Sequence, residues 1–353
     1  MRVVDSDAQE IVVSKPPVLR WRRRMLGLLG VVVVLAVLGG ASAYFSPWPG
    51  TLAIRWMAAG SADSVSSTLD ELAPSGITTV SDMQYREGDP DAMLDAYYPA
   101  ASTPAGLPTL IWAHGGSWIY SDKTDYSGYY ESLAGEGFTV ISLDYSLGPD
   151  AMYPTVLSQL NDAYRYITDN AATLHVDSGQ LFLGGDSAGA QISSQIAAMV
   201  TDPGYAAQVG VKPSLSPDQL RGVVLDCGVY DMNEFLAREG KFGWTADRES
   251  VWAYTGTKDF ENSVAVQQMS TLNFVTAKFP PTFITGGNVD VLTAGQSKPF
   301  ADKLTRLGVD VDALFYPDDY QPELDHEYQF DLDTPDGQVA FDRTAVFLHE
   351  HSQ

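Results

Sequence analysis

From about residue 77 the chain alternates short apolar runs with longer amphipathic stretches. The runs at 79–85, 92–98, 109–113, 139–143, 181–183, 222–225, 282–285 and 312–316 are rich in branched and aromatic side chains. Several are apolar throughout, as strands covered on both faces must be. Helices are expected at 126–136, 156–170, 188–201, 295–307 and 337–349. Strands and helices taking turns predict an α/β fold, a mainly parallel sheet flanked by helices. The stretch 229–280 interrupts that rhythm and carries Phe235, Phe242, Trp244, Trp252 and Tyr254. It reads as a cap insertion over the carboxyl edge of the sheet or as the core packing of a two-helix crossover, and the pattern leaves both open.

The N-terminal part has a different character. Residues 25–45 hold no charge, and as a helix they would span roughly 30 Å, the thickness of a bilayer core. Arg20, Arg22, Arg23 and Arg24 stand just before that run, which predicts a single-pass anchor with a basic cytoplasmic tail over 1–24 and everything after Phe45 outside the cytoplasm. The alternative is a secreted protein, cleaved near Ala43, because Ala41-Ser42-Ala43 resembles a signal-peptidase site. Residues 46–76 form a linker with two short amphipathic helices, at 52–57 and 65–72. Their apolar faces could pack on the domain, cover its site or lie on the membrane. The catalytic domain is expected over 77–353.

Composition narrows the partners. The net charge is −24, and the six basic residues before residue 25 leave about −27 on the rest, 15 basic against 42 acidic residues. Such a surface repels polynucleotides, so no nucleic-acid partner is expected. Cys227 is the one cysteine and reads as a small buried residue on a strand. No His/Cys/Asp cluster has ligand spacing, so neither metal nor organic cofactor is expected. The oligomeric state is not legible.

Gly185-Asp186-Ser187-Ala188-Gly189 lies where the run 181–183 gives way to a helix. A sharp strand-to-helix turn that pushes a Ser into the open brings neighbouring backbone close, and only residues without bulk fit beside it. The Ser needs a base to take its proton, and the base needs a carboxylate to hold its tautomer. In this kind of turn the three follow in the order Ser, acid, His. His114 and His175 precede Ser187, while His349 and His351 sit at the extreme C-terminus; His326, ten residues past the strand ending at Tyr316, is the candidate base. Asp290 is the candidate acid, three residues after Gly286-Gly287 at the end of a strand. Asp318, Asp319 and Asp325 are read as an exposed acidic loop, and Asp186 as a structural residue of the turn. The strand ending in His114-Gly115-Gly116 supplies backbone N–H groups for a developing oxyanion, together with the amide of Ala188.

With these residues in place, the chain from about 80 to 350 resembles α/β-hydrolase carboxylesterases of the hormone-sensitive-lipase-like and feruloyl-esterase-like group. The shared marks are His114-Gly115-Gly116-Ser117-Trp118, Asp144-Tyr145-Ser146-Leu147-Gly148-Pro149, the turn around Ser187, Pro280-Pro281-Thr282 leading to Asp290, and His326. The resemblance implies an α/β-hydrolase fold, a Ser187–His326–Asp290 triad, and an oxyanion hole from the amides of Gly116, Ser117 and Ala188. It implies a serine carboxylesterase acting on small esters. The alternatives are an amidase, formamidase or peptidase on the same triad, or a catalytically silent binding module. His114, Trp118 and Tyr145 are expected at the substrate pocket. Two positions depart from the pattern: Ser117 stands where many members carry a third Gly, and Ser146 where many carry Arg.

Overall fold

The computed structural model describes residues 21, 24–26, 28–30, 39–40, 42–102, 106–238 and 246–352, with the backbone alone for 60–65. Residues 1–49 and 50–353 form separate compact units. In the first, residues 42–45 are helical. About half of the apolar run at 25–45, including 31–38, lies outside the described residues, and so does nearly all of the basic tail. Among the described residues, no helix is long and apolar enough to cross a membrane.

The larger unit is built on eight strands: β1 Ile77–Gln84, β2 Met93–Pro99, β3 Leu107–Ala113, β4 Thr139–Leu143, β5 Val176–Asp186, β6 Leu220–Asp226, β7 Thr282–Gly286 and β8 Val311–Phe315. They lie in the order β1-β2-β4-β3-β5-β6-β7-β8. The first two pairings, β1 with β2 and β2 with β4, are antiparallel, and the others are parallel. Strands β4 and β7 are buried at every position, which is why their sequences are uninterrupted rather than alternating. Two hydrophobic cores, one on each face of the sheet, are closed by the helices between the strands.

Helix α1, Trp48–Leu72, differs from the expected pair of short helices. The small residues Ala58, Ala59, Gly60, Ser61 and Ala62 join the two segments without a proline, so nothing breaks the backbone hydrogen-bond run. Helices α2 Ser127–Gly135, α3 Thr155–Asp169 and α4 Ser187–Thr201 fall where the spacing places them. Helix α5, Pro203–Val209, was not expected; its signal is local, with Asp202 capping the amides of Gly204 and Tyr205 and Pro203 opening the first turn. The interruption after β6 contains α6 Met232–Ala237, α7 Ala246–Thr255 and α8 Val264–Met269. Val251, Tyr254, Val266 and Met269 join the main core, while Phe235 and Asp247 line a pocket together with Ser187 and His326. A π-turn at Thr293–Ser297 leads into α9 Lys298–Arg306, and α10 Pro335–Glu350 closes the fold.

Candidate active site

Ser187 opens α4 directly after β5, with φ at 49°. A positive φ is costly for a residue with a Cβ, and it persists because the strand, the helix and the neighbouring chain all constrain the turn. Gly189 shows the constraint: a Cβ there would run into the carbonyl oxygen of Ala113. The turn therefore depends on a glycine for reasons of space alone.

Ser187 Oγ lies 3.2 Å from His326 Nε2, and His326 Nδ1 lies 3.1 Å from Asp290 Oδ2. The second carboxylate oxygen of Asp290 accepts from the amide of Leu292 at 2.9 Å. The two loops that bring Asp290 and His326 together are stitched by Asn288, whose Oδ1 accepts from the amide of Leu324, and by the Val289 amide, which donates to the Leu324 carbonyl. The acid is buried and the base is about one-third exposed, so one end of this chain of groups is dry and the other meets solvent. Burial works against charge on His326, yet the balance lies well above the ordinary imidazole value, because Cys227, the hydrogen bond to Asp290 and the Glu327 carboxylate favour the protonated ring. Burial pushes the Cys227 thiol itself up to about 12.

Glu327 was not anticipated. Its Oε1 is 3.6 Å from His326 Nε2, on the same nitrogen that faces Ser187, and its Oε2 accepts from Tyr126 Oη at 2.8 Å. Tyr126 is in turn stacked on Phe330, with ring centroids 3.7 Å apart. No spacing rule announces such a residue; its adjacency to the candidate base was the only available signal.

Beneath the nucleophile two carboxyls are buried side by side in the strand register, Asp186 on β5 and Asp226 on β6. Desolvation raises both, Asp226 to about 8 and Asp186 well above the usual range, so Asp226 holds its proton at neutral pH. Asp186 Oδ1 accepts from Trp112 Nε1 at 2.9 Å. The turn residue therefore ties to the neighbouring strand's side chain.

The loop after β3 turns through Gly116, Ser117 and Trp118, with φ of 83°, 52° and 63°. The amides of Ile119 and Tyr120 close it on the Gly116 carbonyl. Ser117 and Ala188 line a pocket of about 260 Å³ beside Ser187 and His326, and Gly116 comes just before Ser117 in the loop. Trp118 also lines this pocket, held by its Nε1 donating to Gln191 Oε1 and by stacking on Tyr254. His114 and Tyr145, expected at the pocket, lie under the loop instead. Their rings stack at 4.3 Å, and Tyr145 Oη donates to the His114 carbonyl at 2.6 Å. Burial pushes His114 down to about 4, so it is a neutral structural ring. The opposite wall carries an ion pair that sequence reasoning missed, Arg238 Nη2 with Asp247 Oδ2 at 2.7 Å. Both come from the interruption after β6, whose packing no local pattern reveals.

Asp318 pairs with Lys298 at the surface, and Asp325 accepts from the amide of His326 rather than from its ring. Among the described residues, the donor atoms of Cys227, Asp290 and His326 lie within 4.8 Å of one another. A metal there would compete for the carboxylate and imidazole atoms that the Asp290–His326 and His326–Ser187 contacts already engage. The arrangement puts a serine hydroxyl, an imidazole and a buried carboxylate in line beside a pocket.

The family model BD-FAE matches residues 94–304. Among curated proteins, the chain is 23% identical over 210 residues to a putative alpha/beta hydrolase of Acanthamoeba polyphaga mimivirus, covering 58% of this chain and 57% of the relative. It is 31% identical over 168 residues to the kynurenine formamidase of Danio rerio, covering 47% and 52%. A third relative, carboxylesterase NlhH of Mycobacterium tuberculosis, is 31% identical over 119 residues, 33% of this chain and 37% of the relative. The chain thus spans about half the length, or less, of these relatives. Among solved structures, esterase B from Lactobacillus Rhamnosis superposes with a TM-score of 0.70 at 22% identity, covering 85% of this chain and 95% of that one. The fold is the α/β-hydrolase fold.

Proposed function

The chain belongs to the BD-FAE family, and from that membership we propose that it is a serine carboxylesterase that cleaves small carboxylic esters through an acyl-enzyme. The observation that carries this reading is the line of contacts from Ser187 Oγ through His326 to Asp290, at 3.2 and 3.1 Å. His326 takes the Ser187 proton on Nε2 as Oγ attacks the ester carbonyl. The amides of Gly116, Ser117 and Ala188 receive the developing oxyanion. His326 returns the proton to the departing alcohol, and the acyl group stays on Oγ. A water then gives its proton to His326, attacks the acyl carbonyl, and frees the acid and the Ser187 hydroxyl. Asp290 holds the tautomer that leaves Nε2 free and stabilises the imidazolium.

Residues 25–45 are the proposed single-pass anchor, with 1–24 in the cytoplasm and the catalytic domain of 77–353 outside it. The uncharged run and the arginines before it support this reading. In intact cells, external protease should reach the domain and spare the Arg-rich leader; full activity in the medium with an N-terminus at Tyr44 would mean cleavage instead.

Ser187→Ala tests the chemistry. Hydrolysis of a short p-nitrophenyl ester is expected to fall by roughly 10⁴-fold or more in kcat with the thermal transition unchanged. Near-normal turnover would remove the assignment. The same assay run on matched esters and anilides separates esterase from amidase, and faster cleavage of the anilide would favour the latter.

A further inference from the structure

Helix α1 has two faces of different kinds. Thr51 and Ile54 are buried, and Ile54 packs on Ile119 and Ala253. Arg55 reaches the same way: its Nε donates to the Ile119 carbonyl at 2.7 Å and its Nη2 to the Gly148 carbonyl at 3.0 Å. Gly50 lies against the Glu249 side chain on α7, where a Cβ would collide. Near the far end, Leu69 is fully buried and its backbone presses on Gly128 of α2. This helix is therefore docked on the domain near both of its ends.

The other side points to solvent and is apolar. At 100° per residue, Leu52, Ala53 and Trp56 fall opposite Thr51 and Ile54, with Met57 beside them. Leu52, Trp56 and Met57 are 54%, 81% and 59% exposed. From Trp48 to Ala59 the only charged residue is Arg55, and it is turned inward to the carbonyls just named. An uncharged stripe with a Trp at its crest is out of keeping with a domain that carries about −27. Water is a poor solvent for such a stripe, and an aromatic ring with an N–H at its edge suits the boundary between lipid and water.

We propose that the outer face of α1, centred on Leu52, Trp56 and Met57, lies in the interfacial layer of a lipid bilayer. The occupant follows from the chain itself: the uncharged run at 25–45 ends three residues before α1 begins. A helix starting there emerges at the membrane surface, where burying a Trp and a Leu a few ångströms deep is favourable. The proposal rests on the membrane reading given above. It adds an orientation. Ile119 and Tyr120, packed with Ile54 of α1, continue the loop that carries Ser117 and Trp118, so the lipid-facing helix and the pocket share one support.

The test uses the full-length chain in phosphatidylcholine vesicles, with a nitroxide attached in turn at Leu52→Cys, Trp56→Cys and, for comparison, Val346→Cys, an exposed apolar position on α10. Cys227 is buried and does not compete for the label. Collision rates with oxygen, which concentrates in lipid, and with a water-soluble nickel complex are compared at each site. The expected result is a ratio of oxygen to nickel accessibility ~3-fold or more higher at 52 and 56 than at 346, with the protein floating with the vesicles. Flotation with equal ratios at 56 and 346 overturns the interfacial helix and leaves the anchor standing. Failure to float overturns both. Shielding at 56 from both reagents, persisting in detergent or growing with protein concentration, overturns the proposal in favour of packing on the chain's own leader or on a second copy.

Discussion

At the scale of single residues, the site depends on how charge is distributed around one imidazole. Asp290 is buried, accepts from the Leu292 amide and faces Nδ1, whereas Asp318 is spent on Lys298 and Asp325 on backbone. Asp290→Asn is therefore expected to cut kcat by on the order of 10⁴-fold with little change in KM, and Asp318→Asn and Asp325→Asn to stay within about twofold. A reversed ranking in steady-state kinetics would move the acid to the later loop. Glu327 acts on the other nitrogen. The base works only when neutral, and its folded value is raised, so kcat/KM should fall with decreasing pH through a midpoint above the ordinary imidazole value. Replacing Glu327 with Gln keeps an acceptor for Tyr126 and removes one of the charges that favour the imidazolium. The acid limb of the pH profile should then move to lower pH, while the plateau changes little. An unmoved limb would show that Asp290 alone sets it.

At the scale of elements, function rests on the ends of strands and on what holds the loops beyond them. The loop after β3 departs from ordinary backbone at three successive residues, and its shape is kept from below by the His114–Tyr145 stack and the 2.6 Å hydrogen bond from Tyr145 Oη. Tyr145→Phe preserves the stack and leaves the His114 carbonyl without that donor. The expected outcome is a loss of about 1 kcal/mol in stability and a kcat roughly 10-fold lower with KM nearly constant, because the amides are displaced from the transition state more than from the substrate. Urea titration and steady-state kinetics on the same preparation check both halves. The Asn288 bridge plays the corresponding part for the acid and base loops.

At the scale of the whole molecule, the interruption between β6 and β7 limits what the site can hold. Phe235, Arg238 and Asp247 close a pocket of about 260 Å³, at or below the small end of ordinary ligand cavities. Acetyl and butyryl esters should be cleaved about 10-fold faster than octanoyl or longer ones under matched soluble conditions, and the opposite order would mean that the wall opens. Much of this protein was legible in its sequence. The eight runs became eight strands, and the central ones are uninterrupted because burial on both faces leaves no room for polar alternation, whereas β1 and β8 at the sheet edges keep exposed positions. Ser187 between glycines, and Gly286-Gly287 ahead of Asp290, marked places where backbone must pass close to backbone, a requirement written into residue size. Other features became visible only when distant segments met. Tyr126 and Glu327 are 201 residues apart, and Arg55 reaches its carbonyls across 64 and 93 residues. His114 and Tyr145 carry the same side chains whether they face a substrate or each other, so their inward stacking was decided by the packing around them. Local sequence sets periodicity, steric allowance and the order of the groups along the chain. Which groups end up within hydrogen-bonding distance across the fold, and which face of α1 is left to solvent, is set by the long-range packing that only the tertiary structure contains.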